Sequence, residues 1–189
     1  GAGTEEGTMI GSASLKTALT RNLSHSLAFS RSQRAGFNSP FEINDSYAYN
    51  LAWKGDFVSA GLFSTFNTVD PQSTGVNPYS DWMSGVNIVY PIFVDVPVVC
   101  GDSIALLLSS RYDMRDNGSF DASELTLVDP EWQANYRTWT SRIGFSFPFI
   151  WSDITFATYV EHVDRASDDP QLAYTRDLFE ATFSFRHEF

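Results

Sequence analysis

The chain of 189 residues contains a single cysteine, Cys100, and only two lysines, Lys16 and Lys54. One cysteine excludes an internal disulfide and a thiolate metal cage, and it leaves redox chemistry without a second thiol. Basic residues number 12 against 23 acidic ones, a net charge of −11. Phosphate backbones are held by clustered Lys and Arg, so nucleic acid is not an expected partner. No run approaches the ~18 consecutive apolar residues of a membrane helix. That absence leaves crossing by strands open, because such strands carry only a weak signal, ~10 residues of alternating polarity. The opening Gly1–Gly7 has neither the Met nor the basic and apolar regions of a signal peptide, and is expected to be a flexible segment ahead of one domain over residues 8–189.

Aromatic residues, by contrast, are plentiful. Sixteen Phe, eight Tyr and five Trp make up 15% of the chain, and 43% hydrophobic content argues for a folded domain with a sizeable apolar surface. Their arrangement is clearest at the C-terminus. Phe179, Ala181, Phe183, Phe185, His187 and Phe189 alternate with Glu180, Thr182, Ser184, Arg186 and Glu188. On a strand successive side chains point to opposite faces, so one face is aromatic and the other polar. A helix would scatter both sets around its circumference.

The same period recurs upstream. Ile143, Phe145 and Phe147 alternate with Arg142, Gly144 and Ser146; Ile154, Phe156 and Val160 alternate with Thr155, Tyr159 and Glu161. Leu106, Leu108, Tyr112 and Met114 oppose Leu107, Ser109, Arg111 and Asp113, and Tyr47, Tyr49, Leu51 and Trp53 oppose Ala48, Asn50 and Ala52. Weaker versions follow Leu23, occupy the region around Leu62, run from Trp82 to Ile92, and span Met9 to Thr20. Nine strands are predicted, many of ~10–13 residues, long enough to cross a bilayer obliquely.

Connections are expected to alternate short and long. Arg21-Asn22, Lys54–Asp56, Asp95–Gly101 and Pro148–Ser152 form the short set. Gln33–Asn44, Asn67–Ser80, Asp116–Glu131 and Asp164–Tyr174 form the long one. Such segregation is what a meander gives when its two ends lie on opposite sides of a membrane. In hydrocarbon only helices or closed sheets satisfy the backbone, so the expected fold is an all-β, antiparallel, up-and-down transmembrane β-barrel of about eight to ten strands. Tyr47, Trp53, Trp82, Tyr90, Tyr112, Trp139 and Phe189 fall near strand ends, as interfacial girdles do.

The terminal strand, with Phe183, Phe185 and a final Phe189, resembles the signal that ends Gram-negative outer-membrane barrels and is read by their assembly machinery. The segment from Trp139 to Phe189 is also similar to the last strands of larger porin-like or polysaccharide-export barrels. The resemblance implies a C-terminus in the periplasm, long loops outside the cell, and contact with outer-membrane lipids, lipopolysaccharide and the barrel-assembly machinery. Bacterial single-chain barrels have even strand numbers, so nine strands suggest the C-terminal part of a larger barrel, with a protein partner in a larger complex left open.

The candidate chemistry lies on the polar face. Arg111, Asp113, Arg142, Glu161, Glu180 and Arg186 are the expected lumen-lining residues, able either to set the selectivity of a channel or to pair across a small interior. His25 and Ser26 are adjacent on a strand and so point to opposite faces, which denies them the contact a hydrolytic triad needs. His162 beside Glu161 and Asp164 offers too few ligands for a metal. No catalytic, cofactor or metal site is expected. The expected role is a non-enzymatic pore, or the barrel portion of an export or uptake channel. The alternatives are a closed barrel anchoring a periplasmic or surface partner and, more remotely, a lipid-modifying enzyme.

Overall fold

The computed structural model describes residues 10–34, 42–71, 78–93, 103–117, 134–148 and 154–185. Nine strands fill almost all of it: β1 Gly11–Ala18, β2 Leu23–Arg34, β3 Glu42–Lys54, β4 Ser59–Pro71, β5 Tyr79–Phe93, β6 Ser103–Asp116, β7 Tyr136–Pro148, β8 Ile154–Ser167 and β9 Tyr174–Phe185. β1 has 8 residues and the others have 12 to 15. Each pairs antiparallel with the next, giving one sheet in the order β1 to β9. All nine expected strands are therefore present. Gly1–Gly7, Arg186 and Phe189 lie outside the described residues.

Closure is where the sheet departs from expectation. The order is linear, and β1 and β9 are the two edges of an open sheet rather than neighbours in a barrel. The parity of the meander gives the physical reason that these two do not pair antiparallel. With an odd number of alternating strands, β1 and β9 run in the same direction.

The loop boundaries also need correction. β2 continues to Arg34, β4 to Pro71 and β8 to Ser167, so the strands run into segments expected to be loop. The connections at that end are 35–41, 72–78, 117–135 and 168–173; at the other end they are 19–22, 55–58, 94–102 and 149–153. Residues 35–41, 72–77, 94–102, 118–133 and 149–153 lie outside the described residues, and with them the expected short–long alternation of the connections. The strands persist at the first end, hereafter the ladder end, because polar cross-strand contacts keep them together after the apolar pattern stops. A cluster of hydrogen bonds illustrates this. Asn117 donates its backbone N–H to Asn135 Oδ1 (2.7 Å), Asn135 Nδ2 donates to Asp168 Oδ2 (2.9 Å), and Ser167 Oγ donates to the Asn135 carbonyl (3.0 Å), fastening β6, β7 and β8. Asp169 then accepts from the backbone N–H of Gln171 (2.9 Å) to start a 3-10 turn at Pro170–Leu172.

Register assigns every side chain to a face. Leu27, Tyr49, Ser64, Ser84, Tyr112, Trp139 and Asp164 lie in one row and define the first face. Lys16, Ser26, Asn50, Phe63, Gly85, Arg111 and Thr140 define the second. Two glycines on the second face are places where only a hydrogen fits. A Cβ on Gly85 would lie 2.6 Å from the Phe63 ring and from the Ser110 carbonyl oxygen. One on Gly144 would lie 2.5 Å from the Thr158 carbonyl oxygen and 2.6 Å from Tyr159 Cβ. Phe63 and Tyr159 are the directly opposed residues on the neighbouring strands, so each aromatic occupies the space its glycine leaves.

Candidate functional site

Burial is distributed against the habit of a water-soluble sheet. Among the described residues the buried hydrophobics are Val69 (2% exposed) and Val163 (3%), and the buried charge is Glu161 (7%); all three belong to the second, polar face. The first face carries Leu27, Tyr47, Trp53, Phe66, Trp82, Tyr90, Trp139 and Phe145, all exposed, with Phe179 and Phe183 at 70%. A soluble sheet turns its apolar face inward. Here the apolar face is the one left open.

The exposed aromatics form two rows. Towards the ladder end, Phe29 packs on Tyr47 (centroids 5.0 Å apart) and Tyr47 on Phe66 (6.5 Å). The row continues with Trp82 against Tyr112 (6.0 Å) and Tyr112 against Trp139 (6.1 Å). Both indoles have their N–H satisfied, Trp82 by Ser64 Oγ (2.9 Å) and Trp139 by Ser141 Oγ (2.8 Å). Near the opposite end Phe147, Phe156 and Phe183 stack at 4.8 and 4.6 Å, and on the same face Tyr90 and Trp53 lie one and two side-chain rows nearer the ladder end. Trp82 and Tyr90 are eight residues apart on β5, ~26 Å along the strand. At a strand tilt of ~40° this is ~20 Å of height, close to the ~25 Å apolar band of outer-membrane barrels once the rings themselves are included. Beyond the row at the ladder end the same face turns polar with Arg31–Asp45 (2.9 Å), and one side-chain row inside Trp139 it carries His162–Asp177 (2.7 Å). Among the described residues no three metal-ligating side chains converge.

The polar face gathers five of the predicted lumen residues. Arg111 Nε donates to Asp113 Oδ2 at 2.8 Å along β6. Arg142 donates from Nε and Nη2 to Glu161 Oε2 (3.1 and 2.5 Å) and lies over the Tyr159 ring at 4.0 Å. Glu161 also faces Arg176 at 3.9 Å. Glu180 stands opposite Tyr159 and accepts from Thr182 Oγ1 at 3.3 Å. Arg111 and Asp113 therefore share one ion pair and Arg142 and Glu161 another, while Glu180 has no cation partner among the described residues.

A larger assembly at the ladder end was not anticipated. Arg34 Nε pairs with Glu42 (3.0 Å), and its Nη2 donates to the Tyr79 hydroxyl (3.2 Å). Arg115 holds Asp81 with two hydrogen bonds, 2.7 and 3.0 Å, and lies between the rings of Tyr79 (4.6 Å) and Tyr136 (5.5 Å). Arg165 follows, 4.1 Å from the Tyr136 centroid and 5.9 Å from that of Tyr174, and Arg176 sits 5.8 Å from the Tyr174 centroid. Arginine and tyrosine thus alternate across β5 to β9 as a ladder of cation–π contacts. The signal that could have found it was present: Arg115 is two residues beyond Asp113, and Arg176 four before Glu180, in the same strand parity. The apolar alternation that marks the strands ends before these residues.

Compared with known proteins, the chain matches no family model, no curated protein and no solved structure.

Proposed function

We propose that the chain builds the wall of an outer-membrane β-barrel and works as a pore, or as the barrel portion of an export or uptake channel. The observation that carries this is the inverted amphipathicity. The sheet leaves two aromatic rows and the aliphatic band between them open, and turns arginines, carboxylates, serines and glycines to the side where residues are buried. Water penalises an apolar face of this extent, whereas hydrocarbon matches it and interfaces favour its Trp and Tyr borders. A polar, mixed-charge inner face is the wall of an aqueous lumen. In the same proposal the C-terminus is periplasmic, the ladder end is extracellular, and the surrounding partners are outer-membrane lipids and lipopolysaccharide.

Hydrocarbon also requires that no strand edge stay unpaired, so the inserted form pairs the outer edges of β1 and β9. The test is purification and reconstitution of the chain together with the strands that complete its sheet. The expected outcome is a protein that needs detergent, runs on gels as a compact species converted by boiling to a slower one, and gives stepwise conductance in planar bilayers. Solubility as a monomer without detergent would sink the membrane assignment. A folded, inserted, heat-modifiable chain that never conducts would leave a barrel but remove the pore.

A further inference from the structure

We infer that the lumen selects anions, and that the Arg–Tyr ladder at the ladder end of the polar face is the element that sets this selectivity. The inference rests on the pore proposed above and names its substrate class. It begins with the distribution of charge. The chain as a whole carries −11. On the polar face of the described strands, however, eight Lys and Arg stand against five Asp and Glu, while the outward face has two against five. The acidic excess lies elsewhere, and the wall that would meet a solute is basic. Charge lining a narrow aqueous passage with low-dielectric walls is focused into it, and fixes the sign of the ions that dwell there.

Pairing shows which of the six arginines contribute alongside Lys16 and Lys54. Arg34, Arg111, Arg115 and Arg142 each have a carboxylate within 3.1 Å, which cancels most of their field. Arg165 has no carboxylate within ion-pair distance among the described residues, and its Nε is buried with no acceptor. Among the described residues its contacts are with ring faces, 4.1 Å from the Tyr136 centroid and 5.9 Å from that of Tyr174. Aromatic faces stabilise a guanidinium without neutralising it, so the position keeps a full positive charge in a fixed place. Arg176 adds a second partly compensated charge, since it is 3.9 Å from a Glu161 that Arg142 already occupies. A planar guanidinium suits the oxygens of carboxylate and phosphate as well as simple halides. The chemistry recognised is therefore an anionic group, either on a free inorganic ion or on a larger acidic solute.

The experiment is the reversal potential of the reconstituted full chain across a potassium chloride gradient, repeated with potassium phosphate and potassium gluconate. Anion permeability above cation permeability is expected. One unit charge ~5 Å from an ion's path changes its occupancy on the order of fourfold in water, so Arg165→Gln should lower the anion-to-cation ratio at least by that order. Arg165→Glu should invert it. Asp81→Asn, which frees Arg115 from its counter-charge, should raise it, and this opposite sign separates an electrostatic effect from damage to the fold. Gluconate carrying current, or blocking that of chloride from one side, would identify an acidic organic solute; indifference to gluconate would leave small inorganic anions as the substrate class. A conducting wild-type chain that prefers potassium, or an Arg165→Glu chain with an unchanged ratio, would overturn the inference while leaving the pore intact. A folded, inserted chain with no conductance at all would overturn both.

Discussion

Gly144 stands where a side chain has no room. Its missing Cβ would meet the Thr158 carbonyl oxygen at 2.5 Å and Tyr159 Cβ at 2.6 Å, and both belong to the partner strand rather than to a mobile side-chain tip. Replacing glycine with alanine in a strand ordinarily stabilises by ~0.4–1 kcal/mol through the unfolded chain, whereas forcing a methyl into a packed site costs ~1–3 kcal/mol. The steric cost therefore wins, and Gly144→Ala is expected to lower stability by about 1–2 kcal/mol. The midpoint of urea unfolding in detergent measures this; an unchanged or raised midpoint would show that β7 and β8 are not in this register. Tyr159 is part of the same arrangement, since its ring also carries the Arg142 guanidinium at 4.0 Å. The glycine and the ion pair with Glu161 are thus linked through one aromatic ring. Neither link is visible in the sequence, where Gly144 reads simply as a small residue on the polar side of an alternating strand. Strand parity gives the face of a residue but not the register of the neighbouring strand, and these contacts depend on register.

At the scale of the strand, alternation was a sufficient guide to how many elements exist and which way each side chain faces. Tyr47, Trp53, Trp82, Tyr90, Tyr112 and Trp139 all lie on the exposed face, because period two survives any tertiary rearrangement that keeps the strand intact. Strand ends were less legible. Tyr136, Arg165 and Tyr174 follow no apolar pattern; they extend β7, β8 and β9 through cation–π contacts between strands, which a single strand cannot announce. The aromatic rows yield their own prediction. In single-tryptophan versions of the reconstituted chain, Trp53, Trp82 and Trp139 should be quenched more by lipids brominated near the glycerol backbone than by lipids brominated near the chain ends, since the proposed barrel puts both rows at the interfaces. Equal insensitivity to both lipids would mean that the exposed aromatic face is covered by protein or water instead of lipid.

Parity governs the whole molecule. A meander of nine strands leaves β1 and β9 pointing the same way, so a seam between them would be parallel, and a second upright copy offers the same parallel choice. Parallel pairing is slightly weaker per residue than antiparallel, and bacterial single-chain barrels have even strand numbers. The inserted sheet is therefore expected to take an odd number of further strands between β9 and β1, which restores antiparallel pairing throughout and widens the lumen. Disulfide scanning can decide this in a Cys100→Ser background. Ser14→Cys on the polar face of β1 would be combined in turn with Leu178→Cys, Glu180→Cys and Thr182→Cys on the polar face of β9, so that several registers are sampled. No direct β1–β9 bridge is expected in the membrane, and backbone amides of both edge strands should nonetheless be protected from hydrogen exchange, because the added strands occupy them. An efficient bridge at one register would instead establish a closed nine-stranded barrel with a parallel seam. Its lumen would be narrow enough for the Arg–Tyr ladder to reach the facing wall. In that case the ladder would be a plug as much as a filter, and the conductance measured for the pore would have to be correspondingly small.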